Sequence, residues 1–173
     1  MKEMIILVDE NDKQIGIMEK IEAHSNGAHL HRAFSIFVFD SAGKMLLQKR
    51  AKTKYHCPGI WTNACCSHPN DGETLEKAVH RKLKQEFGFD CPLHKAFNFT
   101  YKAPFDNGMT EWEFDHVFIG TYDGKINANP DEIDEWKYVD IDELKKDVKK
   151  NPEKYTPWFK ISLDRVLEHR KKH

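Results

Sequence analysis

The chain has 173 residues, with 27 basic against 28 acidic side chains, a net charge of −1, and 39% hydrophobic and 12% aromatic residues. That length suits about one globular domain, here taken as 1–173, and a balanced charge excludes a surface built on bulk positive charge for nucleic acid or anionic membranes. No apolar run approaches the ~20 residues that cross a bilayer, and Ile5-Ile6-Leu7-Val8, closed by Asp9 and Glu10, is too short for a signal-peptide core, so the expected compartment is the cytoplasm.

Taken in chain order, residues 4–8 and 14–19 are apolar runs around a polar cluster and predict a hairpin. Residues 31–40 and 44–50 repeat the arrangement around Asp40-Ser41-Ala42-Gly43. In the first of these, Phe34, Ile36 and Val38 alternate with Ala33, Phe37 and Phe39, so both faces of the strand are apolar and both must be covered. Residues 51–72 read as loop with a short strand from Trp61 to Cys66. Leu75, Val79 and Leu83 recur at helical spacing and predict a helix over 73–87 that ends at Gly88. Strands are expected at 93–102, 111–122 and 136–140, and Thr156-Pro157 opens a last helix running to about Arg170. The basic residues that close the chain fit the dipole at a helix C-terminus better than a recognition patch. Trp61 and Trp136 are expected in the core. Together these elements predict an α/β sandwich with a mixed sheet covered on both sides.

Cys57, Cys65, Cys66 and Cys91 form no CxxC pair, and adjacent cysteines have poor geometry for an ordinary disulfide. Ten histidines are a high count and the first hint of metal chemistry. His24, His29 and His31 precede the first long strand, and spacing alone does not choose between them. His68 lies two residues beyond Cys66, so imidazole and thiol can face the same space. Along 111–122, Glu111, Glu113 and Asp115 share one face, about 6.7 Å apart in turn. Acids so aligned repel one another unless a cation or several donors compensate; the alternative is an edge strand with a solvated acidic face. Imidazoles with carboxylates form the ligand set of catalytic Mn, Mg, Fe or Zn centres.

Glu73, Arg81, Lys82, Leu83, Gln85, Glu86 and Gly88 resemble the Nudix box, a loop–helix–loop whose glutamates hold metal ions against a diphosphate. Lys82 and Gln85 stand where Nudix hydrolases carry glutamates, and Ser67 stands at the first box glycine, so most of the negative charge a multi-metal hydrolytic site needs is missing. Pro58-Gly59-Ile60-Trp61-Thr62-Asn63-Ala64-Cys65-Cys66-Ser67-His68-Pro69, with Glu111-Trp112-Glu113, closely resembles the type 1 isopentenyl diphosphate isomerases over nearly the whole chain.

That resemblance implies a Nudix-like α/β/α fold and interconversion of isopentenyl and dimethylallyl diphosphate. By resemblance Cys66 and Glu113 match the catalytic pair, and Tyr101 the tyrosine beside the glutamate. His24, His31, His68, Glu111 and Glu113 match the ligands of one divalent metal, with Mn2+, Mg2+ and Zn2+ as the options. Glu86 matches the residue associated with a Mg2+ bridging to the diphosphate. Lys20, Arg50, Lys54 and Lys82 fall where basic residues hold the diphosphate, and Trp158 matches the aromatic lining the hydrocarbon pocket. The roles of Asp115 and Cys65 stay open. The partner expected is a small-molecule diphosphate, with neither nucleic acid nor membrane, for a monomer or weak homodimer. A Nudix diphosphate hydrolase and a divalent-metal-binding protein without turnover are the alternatives.

Overall fold

The computed structural model describes residues 3–25, 28–54, 57–105 and 107–172. The chain runs β1 (Met4–Val8), β2 (Gln14–Glu19), α1 (Lys20–His24), β3 (His31–Phe39), β4 (Met45–Arg50), β5 (Trp61–Thr62), β6 (Cys65–Ser67) and α2 (Leu75–Phe87). It continues through β7 (Leu93–Pro104), β8 (Thr110–Thr121), β9 (Ile133–Val139), α3 (Ile141–Lys150), a 3-10 turn at Pro152–Lys154 and α4 (Pro157–Lys172).

The strand apolar on both faces, β3, is the axis of a mixed sheet. One edge pairs in parallel with β8 from His31↔Glu113 to Phe39↔Thr121, while β1 and β6 pair with β3 antiparallel. Beyond β8 lies β7, and β4 carries β5 and β9. The β1–β2 and β3–β4 hairpins form as their turn residues predict.

The two faces of β3 feed two separate cores. Phe34, Ile36 and Val38 pack with Val79, Leu83 and Phe87 of α2, whereas Phe37 and Phe39 pack with Leu144 of α3 and Phe159, Leu163 and Val166 of α4. The result is the α/β sandwich expected from that alternation. Thr74 caps α2 by accepting from the Lys77 amide at 3.2 Å. Gly88 ends it in the left-handed region at φ 70°, where an added Cβ would sit 2.6 Å from the Asn127 carbonyl oxygen.

Several elements depart from expectation. The short strand at 61–66 is two strands broken at Asn63-Ala64. α1 and α3 form where no helix was expected, and β9 starts three residues earlier than 136. Trp136 is 41% exposed rather than core: it shares the α2-side face with Tyr138, but β9 is an edge strand and leaves the ring partly uncovered. Trp61 is half-buried against the α4-side core with the Lys137 ammonium 4.5 Å from its ring centroid. Acidic β8 is no edge strand; it lies between β3 and β7, which is why its acids are buried. Of the closing basic run, His173 lies outside the described residues.

Leu83 is fully buried at the centre of the α2 face. Leu83→Ala is expected to lower unfolding free energy by about 2–5 kcal/mol, measured by urea denaturation. A loss under about 0.5 kcal/mol would contradict the packing of α2 on the sheet.

Candidate active site

The face of the sheet that packs on α4 changes character along its length. On β3 the inward residues run His31, Ala33, Ser35, Phe37, Phe39, and on β8 they run Glu111, Glu113, Asp115, Val117, Ile119. The second half of each series is core and the first half is polar. The polar halves lie side by side because β3 and β8 are parallel and in register. β6 brings Cys66 opposite Ser35 on the other side of β3. A cavity of about 330 Å3 opens above this polar area. Cys66, His68, Glu111, Glu113, Glu86, Trp158, Lys20, Arg50, Lys54 and Lys82 all line it. Tyr101, His24 and His31 do not reach the lining but are packed behind it, against its carboxylates.

The histidines are held by their far nitrogens. His24 Nδ1 lies 2.6 Å from the Lys20 carbonyl oxygen, within α1, and His31 Nδ1 lies 3.2 Å from the His29 carbonyl oxygen. A carbonyl only accepts, so each Nδ1 carries a proton, and each Nε2 is the nitrogen turned toward the carboxylates. His24 Nε2 is 3.6 Å from Glu111 Oε2, and His31 Nε2 is 3.1 Å from Glu113 Oε2. His24, His31 and Glu113 offer ligand atoms all within 4.8 Å of one another. The His68 ring centroid is 6.2 Å from that of His31, and its buried Nδ1 makes no hydrogen bond but lies 3.6 Å from Glu3 Oε1. Two imidazoles and a carboxylate converging in this way, with the His68 ring and Glu111 beside them, fit the donor set of a divalent metal. Burial lowers the pKa of both His31 and His68, for His68 with help from His31 and Lys20, so these rings stay neutral and able to ligate.

His29 contributes only its carbonyl and lies with Trp112 beside a different groove. His116 faces away from the acids, next to Phe114, with Nε2 2.9 Å from Asp12. His80 pairs with Asp90, and His94 stacks with His169.

Glu111 is 1% exposed and Asp115 1% exposed, and Glu113 lies between them. The Tyr101 hydroxyl contacts Glu111 Oε1 and lies 2.8 Å from Glu113 Oε1. A phenol has one proton to give, so Tyr101 can donate fully to only one of the two carboxyl groups at a time. Burial, then the neighbouring Glu111 charge, raise the Glu113 pKa well above the usual carboxylate range, while the bond from Tyr101 opposes the rise. Asp115 is pushed up in the same way by burial and Glu113, and accepts from Ser35 Oγ at 2.8 Å. Asp115 therefore touches the serine beside Cys66 rather than a histidine.

Cys66 Sγ lies 3.1 Å from Asn63 Oδ1, 2.8 Å from Trp158 Nε1 and 3.8 Å from Ser35 Oγ. Burial raises its pKa, Asp115 adds to the rise, and Arg50 opposes it. All four cysteines are free. Cys65 points into the α2-side core and Cys57 and Cys91 are buried, so none of the three faces the cavity.

The basic residues carry internal counter-ions. Lys20 Nζ is 2.7 Å from Glu3, Lys54 is paired with Glu132, and Lys82 Nζ is 3.5 Å from Glu86 one turn along α2. Glu3 and Glu132 also line the cavity and were missed by sequence reading, since each is marked only by its distant lysine. Burial works against the Lys82 ammonium, but Glu86 and further acidic neighbours outweigh it and leave its pKa raised. Gln85 points to solvent, and Glu73 is clamped by Arg81 through bonds of 2.7 and 2.8 Å. Of the box positions only Glu86, buried and accepting from Gln48 Nε2 at 2.9 Å, presents a carboxylate to the cavity.

This fold and box helix define the class: the model of the NUDIX domain family matches residues 29–159. In fold the chain is similar to a crystal structure from Deinococcus radiodurans, with a TM-score of 0.72 at 19% identity over 86% of this chain and 90% of that one. It is likewise similar to a MutT NUDIX hydrolase from Burkholderia pseudomallei, with a TM-score of 0.64 at 20% identity over 79% and 98%. Identities this low establish the fold alone. Much greater likeness links it to curated proteins. It is 52% identical over 170 residues to isopentenyl-diphosphate Delta-isomerase 2 of Aromatoleum aromaticum, covering 98% of this chain and 89% of that protein. It is 51% identical over 160 residues to the protein of the same name from Photorhabdus laumondii, covering 92% and 90%. The chain belongs to the isopentenyl-diphosphate Delta-isomerase family.

The ligand set carries a pH signature. With His31 and His68 lowered from 6.5, protons compete with a metal only below that range. With the Glu113 pKa raised by burial and by Glu111, a metal entering beside it favours release of any proton on that carboxyl. Divalent-metal affinity is expected to be higher at pH ~8 than at pH ~5, and calorimetry in buffers of different ionisation enthalpy is expected to show proton release near neutrality. Equal affinity at both pH values with no proton release would remove the histidine–carboxylate site.

Proposed function

We propose that this chain interconverts isopentenyl and dimethylallyl diphosphate by adding a proton on one side of the substrate and removing one on the other. The observation that carries the reading is the convergence of Cys66 and Glu113, from strands on opposite edges of β3, on one cavity rimmed by lysines. An unactivated alkene is a weak base, so its protonation demands a strong, positioned acid and yields a tertiary carbocation. Glu113, with Oε1 bonded to Tyr101 and Oε2 turned to His31, is placed to carry and give that proton from the Tyr101 side, burial favouring its protonated form. Cys66, entering the step as the thiolate after passing its own proton to solvent through the cavity mouth, takes a proton from the adjacent carbon, which restores a double bond one position along. Each turnover thus moves a proton from the Glu113 side to the Cys66 side, and resetting requires exchange with solvent through the cavity mouth.

Trp158 lines the space between them. Its ring already has the Arg50 guanidinium 5.4 Å from its centroid, a distance at which a positive charge is stabilised by the aromatic face. Lys20, Arg50, Lys54 and Lys82 would take the diphosphate. His24, His31, His68, Glu111 and Glu113 would hold one divalent metal, with Mn2+, Mg2+ and Zn2+ as the candidates, and Glu86 would serve a Mg2+ that meets the diphosphate. Such ions, when bound, supply positive charge that acidifies a neighbouring proton donor and neutralises phosphate. No redox cofactor is needed, because substrate and product have the same oxidation level. Hydrolysis of a diphosphate is disfavoured because Glu86 is the one box carboxylate facing the cavity, with Lys82 and Gln85 where hydrolases carry further glutamates.

Proton NMR of the metal-loaded protein with isopentenyl diphosphate in D2O is expected to show dimethylallyl methyl signals with deuterium incorporated. Cys66→Ala is expected to lower kcat/KM by ~100- to 10,000-fold while metal content is retained, since no thiol belongs to the ligand cluster. Phosphate or pyrophosphate release without new methyl signals would replace this reading by hydrolysis. No reaction with metal bound would replace it by a binding protein.

A further inference from the structure

We infer that Asn63 is a positioning residue that holds the Cys66 thiol and the Trp158 indole as one hydrogen-bonded unit on the cavity wall. Asn63 is fully buried in the break between β5 and β6. Its Nδ2 donates to the carbonyl of Ile36 on β3 at 2.9 Å and to that of Cys65 at 3.0 Å. Those two bonds tie the amide to the central strand and fix the direction of Oδ1. That oxygen then receives three donors: Thr62 Oγ1 at 2.8 Å, Cys66 Sγ at 3.1 Å and Trp158 Nε1 at 3.2 Å. The indole N–H is shared, because Trp158 Nε1 is also 2.8 Å from Cys66 Sγ. Thr62 is in turn bonded to Thr156 at 2.8 Å, immediately before α4, so the same network reaches the root of the helix that carries Trp158.

The residue type follows from this arrangement. Two donors and one multiply accepting oxygen on a short planar group are available only from a primary amide, and glutamine is one methylene too long. A cysteine side chain has one rotatable bond and three staggered wells. Within reach of Cys66 the strong acceptor is Asn63 Oδ1, with Ser35 Oγ a distant second, so the amide selects a single well. An asparagine serving only the core would satisfy backbone carbonyls; this one also spends its oxygen on the thiol and the indole, and both line the cavity.

The activity arm of this inference rests on the isomerase reading above; the spectroscopic arm does not. Asn63→Ala, with folding checked by thermal melting and metal content, is expected to lower kcat for isopentenyl diphosphate on the order of 100-fold, as misplacing a reacting group by an ångström does. KM is expected to stay within about threefold. The S–H stretching band of Cys66, isolated by subtracting the spectrum of Cys66→Ser, is expected to move to higher frequency as the thiol loses its acceptor. If Asn63→Ala does not fold, Thr62→Val serves instead: with one competing donor removed, Oδ1 accepts more strongly from the thiol and the band is expected to move to lower frequency. An unmoved band in a folded variant, or kcat within about threefold of the parent protein, would overturn the assignment. A shifted band in a protein that does not isomerise would keep the contact and reject the isomerase reading.

Discussion

Three carboxyl groups in sequence on one face of a central strand are an expensive thing to bury. Glu111, Glu113 and Asp115 sit between β3 and β7, two of them buried and Glu113 mostly so, and repel one another when ionised. Much of what surrounds them answers that cost. Tyr101 bridges two of them, Ser35 donates a hydrogen bond to the third, and His24 and His31 bring imidazoles to Glu111 and Glu113. The remaining imbalance appears as raised pKa values at Glu113 and Asp115. A site of this kind gains stability from a bound cation and keeps a carboxyl proton available when none is bound.

The parallel register of β3 and β8 makes this placement possible. Because both strands run in the same direction, their polar halves coincide at one end and their apolar halves at the other. Core and site are therefore continuous stretches of one sheet face, and the change from Ser35 to Phe37, or from Asp115 to Val117, marks the border. Trp158 belongs to both: it is part of the α4-side core and also lines the cavity, so the packing of α4 sets the shape of the wall opposite the acids.

Much of this was legible in the sequence because it follows from periodicity. The two-faced apolar alternation of β3, the helical spacing of Leu75, Val79 and Leu83, and the shared face of Glu111, Glu113 and Asp115 are local patterns, and each appears in the structure. What was not legible depends on neighbours distant in the chain. Whether β8 was central or at an edge depended on pairing with β3, some 80 residues earlier. Trp136 looked like core and is exposed, because hydrophobicity does not tell an edge strand from a central one. α3 was overlooked although Asp140 caps it and Ile141, Leu144 and Val148 keep helical spacing, since its many lysines and acids mask so narrow a stripe. Asn63 stood inside the most distinctive motif of the chain, yet its role depends on Trp158, a contact 95 residues apart.

The ion pairs around the cavity make it an exchanger rather than an open basic pocket. Lys20 and Lys54 are already neutralised by Glu3 and Glu132, so an arriving anion displaces carboxylates instead of filling a charge vacuum. What it gains is the difference between its own bonds to the lysines and those the glutamates made. A group with several closely spaced, multiply charged oxygens wins that exchange, and a lone carboxylate merely breaks even. Long-range attraction is correspondingly weak, because a pair of opposite charges looks nearly neutral beyond a Debye length. Discrimination between anions is thus made at contact, by charge density, and solutes bearing a single weak charge have little reason to lodge there.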